Sequence, residues 1–336
     1  MRAECSDDGS DEECAPAGGP VLDSSEPALQ CTCDSVKLMV TLLSCLFQGK
    51  KDQRVRCDVD NAGMLFTAHS RGKSLQIKTS LGAELFDSYV LRQPEEADSG
   101  MDGLETQYSF ALNLNALIES LSMFGPSALA TSSLRLSYFP QTATLTLVVE
   151  DNSVICECAM QVLELEGNDV GQLEFESAFE QSAVLGRCII QSEPLQDAFA
   201  ELYDLPSAAC VTISMFPDIN QFNSDNRPRS ALSAQERCLS LSATSETGSC
   251  EIEFARSSSA FIEFFCASSA DNDDECAATF HVAVLQQAFK ALAHSNETFL
   301  RMNGDGFLSV QHMIETGTGE RAFVDALVSP EDTSIP

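Results

Sequence analysis

Several short segments carry residue types able to do chemistry. Arg71-Gly72-Lys73-Ser74 has the last residues of a phosphate-cradling loop, in which backbone N–H groups and a lysine hold the anion. That loop needs an earlier glycine at position 67, where Thr67 stands, and the flanks read as strands, so phosphate binding is set aside. Asn303-Gly304-Asp305-Gly306 has the centre of a calcium loop, but Arg301 and His312 occupy the first and twelfth positions, where carboxylates are required. It reads as a hairpin turn in which Gly304 and Gly306 supply positive φ. His69, His281, His294 and His312 have no helical metal-ligand spacing, and neither G-x-S-x-G nor H-E-x-x-H occurs.

The 14 cysteines include no C-x-x-C; Cys31/Cys33 and Cys156/Cys158 are separated by one residue. Most, such as Cys45, Cys188, Cys210 and Cys266, lie in apolar stretches and read as small buried hydrophobes of a reducing compartment. Carboxylates number 51, enough on paper for a two-metal nuclease, but they are dispersed. Asp271, Asp273, Asp274 and Glu275 read as a solvated acidic loop. No metal, cofactor or catalytic residue is nominated.

Charge is distributed unevenly. The formal net charge is −32, with residues 1–33 at −7, residues 34–92 at +3 and residues 93–336 at −28. Such a balance argues against bulk non-specific binding of nucleic acid and leaves room for a confined basic strip. No run reaches the apolar length of a membrane span, and the acidic N-terminus has no apolar signal core, so a soluble intracellular protein is expected.

Four apolar stripes repeat at i, i+3, i+4, i+7: Met39/Leu42/Leu43/Leu46, Leu114/Leu117/Ile118/Leu121, Leu195/Ala198/Phe199/Leu202 and Leu285/Ala288/Phe289/Leu292. Each predicts a helix of about three turns with one buried face. Asn113 and Ser192 are candidate N-caps, and Pro194 is tolerated in a first turn. Between the stripes lie alternating or β-branched runs, separated by turn signals at Asn61–Gly63, Asp151-Asn152, Thr247-Gly248 and Asn303–Gly306. The order helix, strands, helix, strands then repeats. It predicts an α+β protein of two similar domains, each with two helices on antiparallel sheet. Expected boundaries are a disordered acidic tail at 1–30, domain 1 at 31–165, a connector at 166–182, domain 2 at 183–329 and a tail at 330–336. Loops are expected at Gln93–Gly103, Pro217–Glu236 and Ser268–Ala277.

Four blocks narrow the class: LNLNALIESLSMFG at 112–125, IIQSEPLQDAFAEL at 189–202, MNGDGFLSVQHMI at 302–314 and FVDALVSPED at 323–332. In this order they resemble the second helix, the third helix, a late hairpin and the closing strand of the Rad-one subunit family of the checkpoint (nine-one-one) sliding clamp. The resemblance runs from about Asp34 to Asp332. It implies a PCNA-like clamp fold and a non-enzymatic nuclear subunit of a heterotrimeric ring, loaded at damaged or stalled DNA to recruit signalling and repair factors. It further implies two other clamp subunits and a clamp loader as partners, with double-stranded DNA passing through the ring.

Helices then line the hole, and Lys37, Lys50, Lys51, Arg54, Arg187, Lys290 and His294 become the DNA-facing candidates. The second helix carries Glu119 and no basic residue, and Gln286 and Gln287 stand in the fourth, so partner subunits are expected to supply much of the positive lining. The family pattern places subunit contacts near Ser109–Leu117 and Leu134–Phe139 on one side. On the other it places them at Cys210–Ala243, including Phe216. Two alternatives stay open: a homotrimeric replication clamp, whose peptide groove would involve Val170, Leu173 and Phe175, and a 3'-5' exonuclease. Val170, Leu173 and Phe175 are read as strand core in preference.

Overall fold

A computed structural model describes residues 26–70, 72, 74–92, 108–165, 172–218, 236–267, 276–316 and 319–331. Most of the expected acidic tail and of the three loops, the Asp271–Glu275 cluster and Val170 lie outside the described residues, as does the side chain of Leu173.

The first half runs β1 (Leu29–Cys33), α1 (Lys37–Leu46), β2 (Arg54–Asp60), β3 (Gly63–His69), β4 (Leu75–Gly82), β5 (Ser88–Leu91), β6 (Tyr108–Asn113), α2 (Leu114–Leu121), β7 (Ser133–Phe139), β8 (Thr144–Asp151) and β9 (Val154–Gln161). After α3 (Gln172–Glu180) the second half repeats that order. It runs β10 (Val184–Gln191), α4 (Ser192–Tyr203), β11 (Cys210–Met215), β12 (Arg237–Ser245), β13 (Gly248–Ala255), β14 (Phe261–Cys266), β15 (Cys276–His281), α5 (Val282–Ala288), β16 (Glu297–Asn303), β17 (Leu308–Glu315) and β18 (Arg321–Val328).

The four apolar stripes are buried where helical periodicity puts them, with Ile118 alone among their residues only partly buried, and α1, α2, α4 and α5 lie on one side of the sheets. A fully buried Leu or Phe contributes about 1.5–3 kcal/mol. Strand alternation supplies the facing layer, as in Leu134, Leu136 and Tyr138 of β7 against Leu145, Leu147 and Val149 of β8. Asn113 caps α2 by accepting from the Ala116 N–H at 3.1 Å. Ser192 does not act as a cap: it is the first residue of α4, and its hydroxyl is committed to a buried network with Thr298. The fourth helix ends at Ala288 and continues as a 3-10 turn, Lys290–His294, which keeps Leu292 buried.

Three features depart from expectation. Strand β1 starts at Leu29, inside the segment expected to be tail, because Leu29 is fully buried and pairs with both Leu91 and Tyr138. The connector holds helix α3, with Phe175 and Phe179 buried on the sheet face opposite the other helices; Phe175 meets Phe307 edge-on at 6.3 Å. Phe175 is thus core, but of a helix. In the Asn303–Gly306 turn only Gly306 has positive φ, +80°. The Asn303 carboxamide orders that turn by accepting from the N–H groups of Asp305 and Phe307. Strands β3 and β4, on either side of Arg71–Ser74, are antiparallel neighbours, and the Ser70 hydroxyl accepts from the Ser74 and Leu75 N–H groups; Arg71 and Lys73 lie outside the described residues.

Candidate functional site: open sheet edges and the helical face

Sheet order exposes how the duplication is used. A nine-stranded sheet runs β14-β10-β16-β17-β18-β4-β3-β2-β6, so five strands of the second half join four of the first. The two remaining sheets are the complementary pieces: β5-β1-β7-β8-β9 from the first half and β13-β12-β11-β15 from the second. The joint is the antiparallel pair β18·β4, with Val324 opposite Thr79, Asp325 opposite Lys78 and Ala326 opposite Ile77. By the duplication, the counterpart of β18 is β9 and the counterpart of β4 is β13. Both end their sheets among the described residues.

The strand ladders fix the correspondence residue by residue. The Val36 N–H donates to Ser132 C=O in one half and the Ser192 N–H to Asn296 C=O in the other, which aligns β7 with β16. Following the pairs Leu134–Val149–Cys156 and Thr298–His312–Val324 makes Cys156 the counterpart of Val324. Glu157 and Cys158 then match Asp325 and Ala326. In the other pieces, Leu114 N–H to Gln53 C=O matches Val282 N–H to Ala209 C=O. The pairs Arg56–Thr67–Lys78 and Thr212–Ser242–Glu251 then make Glu251 the counterpart of Lys78.

The internal joint is electrostatically matched. Lys78 forms an ion pair with Glu176 of α3 and lies opposite Asp325, whose carboxylate accepts from Gln311 at 2.8 Å. Burial lowers the Lys78 pKa and raises that of Asp325, and each partly offsets the shift of the other. A cleft of about 390 Å3 between α3 and this sheet is lined by Gln76, Lys78, Glu176, Arg301 and Asp325, so its floor is charged.

The open edges differ. Strand β9 alternates with Val154 and Ile155 exposed, the latter at 64%. Neither VICECAMQ of β9 nor GSCEIEFA of β13 holds a Lys or Arg. On β13, Glu253 and Glu251 share Arg237 of the neighbouring strand at 2.8 and 3.8 Å.

The interface residues expected from sequence lie elsewhere than these two edges. Leu117 and Leu134 are buried in the core. Leu134 and Phe139 belong to β7, and Cys210 lies in β11 with Phe216 directly after it; both strands already have two neighbours, so their backbone groups are satisfied. Phe216 lies under the Arg237 guanidinium at 4.7 Å. Ser109 is on β6, an edge of the nine-stranded sheet, and its hydroxyl donates to Asp58 at 2.6 Å.

The basic candidates divide between the two ends of α1. Lys50, Lys51 and Arg54 follow its C-terminus, and Lys290 reaches the same end. The Lys290 ammonium donates to the Phe47 carbonyl at 2.9 Å and lies over its ring at 5.3 Å; burial lowers its pKa. Lys290 therefore ties the two halves together. Lys51 and Arg54 are exposed, and Lys50 donates to Gln48 at 2.8 Å. Exposed Lys37 and His294 meet at the other end, in a cleft of about 730 Å3 that Asp34, Glu84 and Asp87 also line.

Arg187 lies apart from these residues. Cys188 and Ile190 of β10 face the core, so Arg187 must point to the sheet's other side, where it pairs with Glu263 at 3.1 Å and lies over Phe265 at 5.4 Å. Sequence reasoning also missed an acidic stripe on α4: Glu193, Asp197 and Glu201, all exposed at four-residue spacing.

No three His, Cys, Asp or Glu side chains converge on a metal-sized site among the described residues. Burial pushes the Cys33, Cys45, Cys238 and Cys276 thiols up to about 11, well away from nucleophilic thiolates. No described helix is long and apolar enough to cross a membrane.

Comparison with known proteins agrees with this architecture. The chain is 25% identical over 307 residues to the cell cycle checkpoint protein RAD1 of Homo sapiens and to that of Pongo abelii, covering 91% of this chain and 92% of each relative. The Mus musculus protein of that name is 25% identical over 301 residues, covering 89% of this chain and 91% of its own. Among solved structures, a chain of the PCNA2-PCNA3 complex from Sulfolobus tokodaii aligns with a TM-score of 0.60 at 11% identity, covering 90% of this chain and 99% of that one. The fold is therefore that of a PCNA-like clamp. A family model described as "Repair protein Rad1/Rec1/Rad17" matches residues 28–314, and the chain belongs to that family.

Proposed function

We propose that this chain is a non-enzymatic subunit of a heterotrimeric checkpoint clamp that encircles double-stranded DNA in the nucleus. The observation that carries the reading is the pair of open edges. The chain closes one nine-stranded sheet internally and leaves the two complementary pieces, ending in β9 and β13, at its extremities. Head-to-tail completion of those pieces by other clamp-like chains regenerates the same sheet at each joint and closes a ring. A dedicated loader would open and place the ring at damaged or stalled sites, where its outer surface recruits signalling and repair factors.

Helices α1, α2, α4 and α5 would face the hole. DNA held topologically needs only weak phosphate contact, which Lys37, Lys50, Lys51, Arg54 and His294 can provide. Native mass measurement of the chain purified from nuclear extract tests the assembly. The expected species is a one-to-one-to-one complex with two other clamp-like chains, and a stable homotrimer would overturn the heteromeric reading. Charge reversal of Lys37, Lys50, Lys51 and Arg54 together is expected to shorten retention of the assembled ring on closed circular DNA. Unchanged retention would remove these residues from the DNA path.

A further inference from the structure

The charges on the open edges go further and name the kind of strand each accepts. This step rests on the reading of β9 and β13 as ring joints. Transferring the β18·β4 register through the duplication sets the geometry of a joint between β9 of one copy and β13 of a second copy of this chain. Cys158 would stand opposite Cys250, Glu157 opposite Glu251 and Ile155 opposite Glu253. At the internal joint the position equivalent to Glu157–Glu251 is held by Asp325 and Lys78, a matched pair. A self-joint would oppose two carboxylates there, with a third one step along the same face. Arg237 is already shared between Glu251 and Glu253 and belongs to the interior strand β12. Like charges directly opposite on paired strands are destabilising, and neither edge carries a cation to relieve them.

We propose that each open edge is matched to a foreign strand: an edge strand of another clamp-like chain bearing Lys or Arg opposite Glu157 on one side, and opposite Glu251 and Glu253 on the other. The same carboxylates prevent this chain from closing a ring with itself. Opposite edges of one subunit thus carry the same sign. The two neighbours must each bring a basic edge, and the acidic subunit enters the ring once.

The test uses the full chain and its own cysteines as reporters. Opposed residues of antiparallel strands are about 4.5–5.5 Å apart at Cα, within the span a disulfide bridges. Diamide, which takes two electrons and two protons from a pair of thiols, would therefore link Cys158 to Cys250 of a second copy wherever the self-joint forms. Sedimentation and peptide mapping after diamide are compared for the native chain, for Glu157→Lys, and for a neutral variant combining Glu157→Gln, Glu251→Gln and Glu253→Gln. All three positions are on exposed edges, so the core is untouched.

The native chain is expected to stay monomeric and unlinked. Glu157→Lys is expected to self-associate about tenfold more tightly than the native chain and to yield the Cys158–Cys250 link, since one like pair becomes an opposite pair. A native chain that self-associates with that link overturns the proposal. If the neutral variant links Cys158 to Cys250 but Glu157→Lys associates no better than the native chain, the charge rule fails while the edges stand as joints. If neither variant gives that link, the assignment of β9 and β13 as joints fails, and the proposal with it.

Discussion

His312 is fully buried at a position where alternation along β17 calls for an apolar side chain, and it should make stability fall steeply in mild acid. Its Nε2 lies 3.0 Å from the Ala288 carbonyl, which can only accept, so Nε2 carries the proton and Nδ1 is an acceptor. The Thr298 hydroxyl, 3.1 Å away, must then donate to Nδ1. Thr298 in turn accepts from Ser192 at 2.8 Å, and Ser192 accepts from Ser295 at 2.8 Å. The chain of donors has one direction. Protonating Nδ1 would bury a cation and set two donors against each other. Burial accordingly pushes the His312 pKa down from 6.5 to about 4, and the Ala288 hydrogen bond offsets only part of that.

The folded pKa lies below the unfolded one, so unfolding takes up a proton between those values. The contribution is fully present above pH 6.5 and is lost as pH falls toward 4. Linkage at about 1.4 kcal/mol per pH unit gives a loss of about 2 kcal/mol by pH 5 and about 3 kcal/mol by pH 4. Urea unfolding of the native chain and of His312→Gln, measured from pH 7.5 to 5, isolates this group because carboxylate contributions are common to both. The native chain's advantage should shrink by about 2 kcal/mol over that range. Imidazole proton NMR should show one histidine, absent in the variant, that does not titrate above pH 5. A His312 resonance titrating near 6.5, or a pH-independent stability difference, would refute the directed network.

Two further outcomes are expected. Asn303→Ala removes two turn hydrogen bonds and the carboxamide's donation to the Phe179 carbonyl at 2.9 Å. It should cost about 2–3 kcal/mol and speed amide exchange in α3 more than in α1; equal exchange in both would disconnect the turn from α3. Lys290→Met keeps the apolar stem against Phe47 and loses the hydrogen bond to its carbonyl and the ammonium's contact with its ring. A loss of about 1 kcal/mol in denaturant midpoint analysis is expected, with ring retention on DNA close to native; retention falling as far as for the combined Lys37, Lys50, Lys51 and Arg54 reversal would make Lys290 a DNA contact first.

The helices were legible because their stripes record burial locally: Leu195, Ala198, Phe199 and Leu202 fix both the element and its inward face. The turns at Asn152 and Gly306 were legible for the same reason, since positive φ narrows the residue choice. Joints were not, because pairing is non-local. Strands β7 and β9 both alternate, and only the sheet order says which has a free side. The sheet face of Arg187 had a signal in the sequence: apolar Cys188 and Ile190 fix the parity of β10, and Arg187 has the opposite parity. Helix α3 hid among acidic residues, its one clue being Phe175 and Phe179 four apart. Strand β1 was not legible, and the expected start of the first domain fell at residue 31, because a disordered composition runs up to Pro27 and five residues are too few to show a period.

The charge pattern of the whole molecule becomes consistent once edges and helices are considered together. The exposed side of the helical layer is basic only at the two ends of α1, while Glu119 on α2 and the Glu193/Asp197/Glu201 stripe on α4 are acidic. A homotrimer built from this chain would repeat that stripe three times around the hole and would meet Glu157 with Glu251 at every joint. Both penalties vanish when the chain occurs once per ring between basic-edged neighbours. In the proposed ring the DNA would run nearer the neighbours' helices, and α4 would repel it. The edge carboxylates would set how many copies enter the ring and the α4 carboxylates on which side of the hole the duplex lies, so reversing the α4 stripe to lysine should lengthen retention on closed circular DNA without changing the stoichiometry. A changed stoichiometry would mean that the stripe, and not the edges, counts the subunits.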